Sequence, residues 1–131
     1  MNMAPKNKDS CLRGIRGATT CTGNSITEIE TAVSELIQEL TTRNTLEPEQ
    51  IISVTFSVTA DLDACFPASI ARKLPEWDDV ALLDCQQMHV QGDLEHCIRI
   101  LLYAYLPIDH KVNHPYLGKA KILRPDRSKS R

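Results

Sequence analysis

No apolar run in this chain approaches the roughly 20 residues that a membrane-spanning helix needs. The longest, residues 100–108, is nine residues long and contains two tyrosines and a proline. The opening ten residues hold no apolar stretch, so no signal peptide is expected and the cytoplasm is the expected location. An excess of either charge is also missing: 15 Lys and Arg face 17 Asp and Glu, a net charge of −2. That balance gives no electrostatic basis for nucleic acid or an anionic membrane as partner. The five cysteines include no CxxC pair. This argues against a disulfide framework or a zinc ribbon and for reduced, mostly buried thiols. His110 and His114 are four apart, but Asn113 and Pro115 interrupt the helix that would align them, so no metal site is expected. GxGxxG, Walker A, GxSxG and HExxH patterns are all absent, and Gly14-Ile15-Arg16-Gly17 is no phosphate cradle. An enzyme with this inventory works by binding and electrostatics more than by covalent or metal chemistry.

What remains is enough for one folded domain: 131 residues, 42% of them hydrophobic. We expect a disordered extension over residues 1–10, a domain over 11–124 and a mobile tail over 125–131. Residues 11–20 read as a strand. Ser25 and Glu28 form a capping box, and Ile26, Ile29, Val33, Leu36, Ile37 and Leu40 mark an amphipathic helix of roughly 18 residues ending near Asn44. Ile51–Thr59 is rich in β-branched residues and reads as a strand. Pro67 opens a short helix reaching about Leu74. Val80–Cys85 reads as a strand and Gly92-Asp93 as a turn. His96–Leu106 reads as a long strand apolar on nearly both faces, and Lys119–Arg124 as a last strand. The fold class is α+β: a mixed sheet of about five strands with one long and one or two short helices on one face.

Arginine inside strands is the unusual feature. Arg16 lies in the first strand, Arg99 in the long apolar one, and Arg124 at the end of the last. A guanidinium there stays charged and needs an anion or water. The bland reading is an arginine paired to a core carboxylate or facing solvent at a sheet edge. The functional one is a pocket for a small ligand with more than one negative group, since arginine binds carboxylates in bidentate fashion.

Arg13-Gly14-Ile15-Arg16-Gly17-Ala18-Thr19-Thr20 closely resembles the N-terminal signature of the monofunctional, trimeric α/β class of chorismate mutases. The resemblance continues through Ser57–Leu62, Phe66-Pro67-Ala68, Gln86-Gln87-Met88, Gly92, Cys97-Ile98-Arg99, Tyr116-Leu117 and Leu123-Arg124-Pro125-Asp126, covering roughly residues 12–126. It implies conversion of chorismate to prephenate, a cofactor-free [3,3] rearrangement on the way to phenylalanine and tyrosine. It also implies a homotrimer whose sheets build a pseudo α/β-barrel with active sites at the subunit interfaces. By the same resemblance, Arg99 points at the breaking ether oxygen and Arg16 binds the side-chain carboxylate, supported by the Tyr116 hydroxyl. Phe66, Ala68, Leu82 and Leu83 line the ring, and Arg72 stands at the pocket mouth. Phe66, Ala68 and Leu123 are expected from the neighbouring subunit, and Arg124 with the tail over the ring carboxylate.

Three positions depart from the family pattern. Gln87 stands where a Glu accepts the ring hydroxyl, Asp84 where a Cys is expected, and Ser69 where a Lys is expected. Asp84 is the expected substitute for the carboxylate that Gln87 lacks, which requires the chain to bend between 84 and 87. Two other readings compete. One is a non-catalytic relative that binds chorismate or prephenate; the other is a trimeric enamine or imine deaminase-like enzyme that uses an interfacial arginine.

Overall fold

The structure is a computed structural model describing residues 9–127. The expected disordered extension over 1–10 and mobile tail over 125–131 fall mostly outside the described residues, and Ser10 belongs to the first strand instead. Strand β1 spans Ser10–Thr20, helix α1 Ile26–Arg43, β2 Ile51–Val58, the short helix α2 Pro67–Ala71, β3 Ala81–Gln86 and β4 Cys97–Pro107. They form one four-stranded sheet in the order β1-β4-β2-β3. β4 is antiparallel to both of its neighbours, and β2 and β3 are parallel. The parallel pair is joined by the crossover carrying α2, as a parallel connection requires.

Helix α1 forms where its signals lie. Ser25 Oγ accepts the Glu28 N–H at 3.1 Å, and the Glu28 carboxylate takes the hydroxyls of Ser25 and Thr22, each at 2.9 Å. Ile29, Ala32, Val33, Leu36, Ile37 and Leu40 bury one stripe against the sheet. The helix stops at Asn44, a buried polar residue with every side-chain hydrogen-bonding group used. Its amide nitrogen donates to the carbonyls of Leu40 and Asn113, both at 2.9 Å. Its Oδ1 accepts from Asn113 N at 2.9 Å and from His110 Nε2 at 3.0 Å. The end of α1 thereby clasps the loop that follows β4.

The sheet has one face toward the helices and one open face. Ile98, Ile100, Leu102, Ala104 and Leu106 of β4 pack under α1 with Ile15, Ile51, Val54 and Phe56. A bulge in β2 between Ile51 and Ser53 puts Ile51 on that same face as Val54 and Phe56. The opposite face carries Leu12, Gly14, Arg16 and Ala18 of β1 beside Tyr105, Tyr103, Leu101 and Arg99 of β4. Across the sheet they continue into Ser53, Thr55 and Ser57, then Ala81, Leu83 and Cys85. Leu12, Leu83 and Tyr103 are exposed there. The long strand is therefore covered on one side within the chain, not both.

Two expectations are corrected. The sheet has four strands rather than about five, because residues Gly118–Leu123 form a 3-10 turn instead of a strand. Gly118 takes a positive φ of 56°, and Lys119 N bonds to Thr20 Oγ1 at 3.1 Å, tucking the segment under the end of β1. Residues 125–127 form a further short 3-10 turn. The cysteines are less buried than expected: Cys21 and Cys97 are buried, Cys11 and Cys65 partly so, and Cys85 is exposed. Burial pushes the Cys21 thiol up to about 11. Among the described residues no helix is long and apolar enough to cross a membrane.

Candidate active site

Alternation along paired strands brings the two strand arginines together. Arg99 pairs with Ala18 and Arg16 with Leu101, so both guanidiniums leave the open face two residues apart along neighbouring strands. Tyr116 joins them from the loop after β4. Its segment runs beside β1, with Ala18 N donating to Pro115 O at 3.0 Å and Leu117 N to Ala18 O at 2.8 Å. This close approach needs Gly17, where a Cβ would sit 2.8 Å from the Pro115 carbonyl oxygen. His114 Nδ1 accepts the Arg16 N–H at 2.9 Å, which fixes the same loop to the strand carrying Arg16. The Tyr116 ring packs in a small apolar cluster with Ala18, Ala120, Leu94 and Leu123. Arg124 is beside the Tyr116 hydroxyl and pairs with Asp126 at 3.0 Å.

Gln87 follows β3 directly. Its N–H bonds to Val58 O at 2.7 Å, continuing the parallel ladder past Gln86. Residues 81, 83, 85 and 87 therefore share the open face with Arg99. Gln87 Nε2 donates to Asp93 Oδ2 at 2.8 Å, and the same oxygen lies 3.5 Å from Arg99 Nη2, an ion pair too long for a good hydrogen bond. Among the described residues two buried side-chain polar atoms are left without a partner: Gln87 Oε1, an acceptor, and Arg99 Nε, a donor. Burial of such atoms is unfavourable unless something supplies the missing bonds. Gln87 and Asp93 also line a cleft of about 390 Å³ with Thr59, Asp61, Met88 and Leu94, within the range of small-molecule sites.

The wall of that cleft is braced at Asp61. Its carboxylate accepts the Thr59 hydroxyl at 2.5 Å and the His96 N–H at 3.0 Å, and His96 takes a positive φ of 50°. Burial alone would raise the Asp61 carboxyl; the Thr59 hydroxyl and the His96 N–H and ring outweigh it and hold it below the usual range.

Asp84 lies elsewhere. β3 is regular through Gln86, so no bend occurs between 84 and 87, and the Asp84 side chain leaves the helix-facing side. Its Oδ1 accepts the Ala68 N–H at 3.0 Å in the first turn of α2. Burial raises its carboxyl above the usual range, against the pull of that N–H and of Arg72. The carboxylate within reach of Gln87 and Arg99 is Asp93, which the sequence presents only as part of a turn. The available signal was parity: 87 and 99 share a face once the strands are paired, and the intervening turn returns residue 93 between them.

The remaining candidates divide by element. Leu83 is exposed on the open face, and Leu82 packs on the core from the other side. Ala68 is buried in α2, Phe66 precedes that helix and is exposed, and Arg72 is exposed at its C-terminal end. These three stand at the β3 edge of the sheet, whereas Arg16 and Tyr116 stand at the β1 edge. Within one chain the two sets do not converge.

Residues 12–127 match a family model described as chorismate mutase type I. A Bacillus subtilis protein described as chorismate mutase AroH is 36% identical over 118 residues, spanning 89% of this chain and 93% of that protein. A Thermus thermophilus protein of the same description is 37% identical over 117 residues, spanning 88% and 95%. A solved structure described as chorismate mutase from Clostridium thermocellum superposes with a TM-score of 0.76 at 39% identity, covering 84% of this chain and 98% of that one.

Proposed function

The chain belongs to the type I chorismate mutase family and is a chorismate mutase, an isomerase that turns chorismate into prephenate; we propose here how its own residues do so. The rearrangement breaks the ether C–O bond and forms a C–C bond within one molecule. No proton, nucleophile or cofactor enters. The enzyme's work is to hold the side chain over the ring in the reactive geometry and to stabilise the negative charge that grows on the ether oxygen.

The observation that carries the proposal is the pair of unsatisfied buried atoms, Arg99 Nε and Gln87 Oε1. Chorismate supplies a complement to each: an ether oxygen flanked by a carboxylate for the guanidinium, and a ring hydroxyl for the amide carbonyl. A fixed charged donor at a developing oxyanion is worth about 3–4 kcal/mol. Arg16 takes the side-chain carboxylate and Tyr116 supports it. Arg124, already beside Tyr116, exchanges Asp126 for the ring carboxylate. Asp84 holds the first turn of α2 and through it the Phe66–Ala68 segment.

The working form is a homotrimer. An open sheet face bearing Leu12, Leu83 and Tyr103 supports burial against other copies. Association would also bring Phe66, Ala68 and Arg72 of one copy to the arginines of the next. Light scattering then gives three times the 14.7 kDa chain mass.

The decisive assay adds the protein to chorismate and follows the loss of diene absorbance, with prephenate confirmed by its acid conversion to phenylpyruvate. Turnover far above the spontaneous rate is expected. Tight chorismate binding without turnover would instead mark a binding-only relative.

A further inference from the structure

We propose that Asp93 is a positioning residue that makes the neutral Gln87 competent in this site. The inference rests on the chorismate mutase reading of Arg99 and Gln87 and assigns their partner. An amide at 87 could present either end to a ligand. A carboxylate can only accept, so Asp93 Oδ2, 2.8 Å from Gln87 Nε2, compels the NH2 toward itself and leaves Oε1 as the unsatisfied acceptor. The same oxygen sets a negative charge 3.5 Å from Arg99, close enough to balance the guanidinium and too far to occupy its donors.

Asp93 is itself held for this task. Its N–H closes a turn on Val90 O at 3.1 Å, its Oδ1 accepts the Leu94 N–H at 2.8 Å, and Gly92 before it takes a φ of 85°. The turn directs one carboxylate oxygen inward. Gln87 and Asp93 together thus supply what one glutamate at 87 would supply alone: an acceptor for the ring hydroxyl and a negative charge near Arg99. A glutamate at 87 is incompatible with Asp93, since two carboxylates at that spacing share a proton.

The test is a double-mutant cycle on the full-length protein. Asp93→Asn allows the amides to reorient and removes the charge; kcat/KM falls by about tenfold or more, as for a lost hydrogen bond to a charged group. Gln87→Glu alone also loses activity, and its kcat/KM declines as pH rises and the shared proton leaves, a trend the unmodified protein does not follow. The double variant Gln87→Glu/Asp93→Asn exceeds both single variants and loses that decline. A purely structural role for Asp93 predicts additive losses and no change of pH profile. A double variant no better than the poorer single one, or a flat Gln87→Glu profile, overturns the inference. If Asp93→Asn fails to fold by circular dichroism, the Gln87→Glu pH profile decides alone. The unmodified protein is the internal control: if it does not turn over chorismate, the activity assignment fails, and if it does while the cycle is additive, only the role of Asp93 fails.

Discussion

Along β4, Ile98, Ile100, Leu102, Ala104 and Leu106 turn toward the helices, while Arg99, Leu101, Tyr103 and Tyr105 turn the other way. The first set is uniformly apolar and almost wholly out of solvent. The second mixes a guanidinium, two phenols and a leucine, all partly exposed in the single chain. One strand thus serves two demands at a spacing of one residue. Its even positions resist substitution because the core has closed around them. Its odd positions answer to ligand and neighbouring copies.

That contrast can be broken at several points. The largest effect belongs to the open face: Arg99→Ala lowers kcat/KM by about a thousandfold or more, with an unchanged denaturation midpoint. Arg99→Lys does little better, because an ammonium lacks the planar fork. The covered face gives the opposite signature. Leu102→Ala lowers unfolding free energy by about 3 kcal/mol in urea titration, while the folded fraction keeps its turnover number. An Arg99→Ala protein that unfolds early, or a Leu102→Ala protein that folds well and does not turn over, would erase the distinction between the faces. Tyr103→Asp sharpens it further: light scattering shows a loss of mass toward the single chain, and activity falls with dilution.

The smallest effect is at Asp84, on the covered side. Its carboxyl is raised by burial, so the folded state binds a proton more tightly than the unfolded chain. This group therefore favours folding below its unfolded pKa, about 3.9, and that contribution is lost as pH rises through the higher folded value. Asp84→Asn is free of this dependence and still accepts the Ala68 N–H. Its stability relative to the parent accordingly improves as pH rises from about 4 toward 7, with turnover unaltered; a parallel pair of stability curves would refute the assignment.

The local signals proved the most legible. Ser25 and the 3.6-residue stripe give α1 to its last residue, and Pro67 gives the start of α2, which ends at Ala71 short of the expected Leu74, because caps and amphipathic periods act within a few residues. The Lys119–Arg124 segment misleads for the reverse reason. Its strand-like composition is overridden by Gly118 and by Thr20, which is distant in sequence. The site divides the same way. Arg16 and Arg99 stand out as charges in apolar strands, and Gln87 through the family resemblance. Asp93 does not stand out, since its role depends on which side of β3 Gln87 leaves and on how far the next turn folds back. The expectation of Asp84 rests on its nearness to Gln87 in sequence, which the pleat of a regular strand overrides.

The place of β4 in the middle of the sheet also governs how the chain comes together during synthesis. β1 is made first, yet its partner is β4: Ser10 pairs with Pro107. β2 leaves the ribosome long before it can find that same strand. Until β4 emerges, only the parallel β2–β3 pair can form, and two strands alone are marginal in water. Assembly of the full sheet therefore waits for β4 and depends on contacts of high sequence separation. Nascent chains halted before β4 remain open, their apolar strands exposed to chaperones.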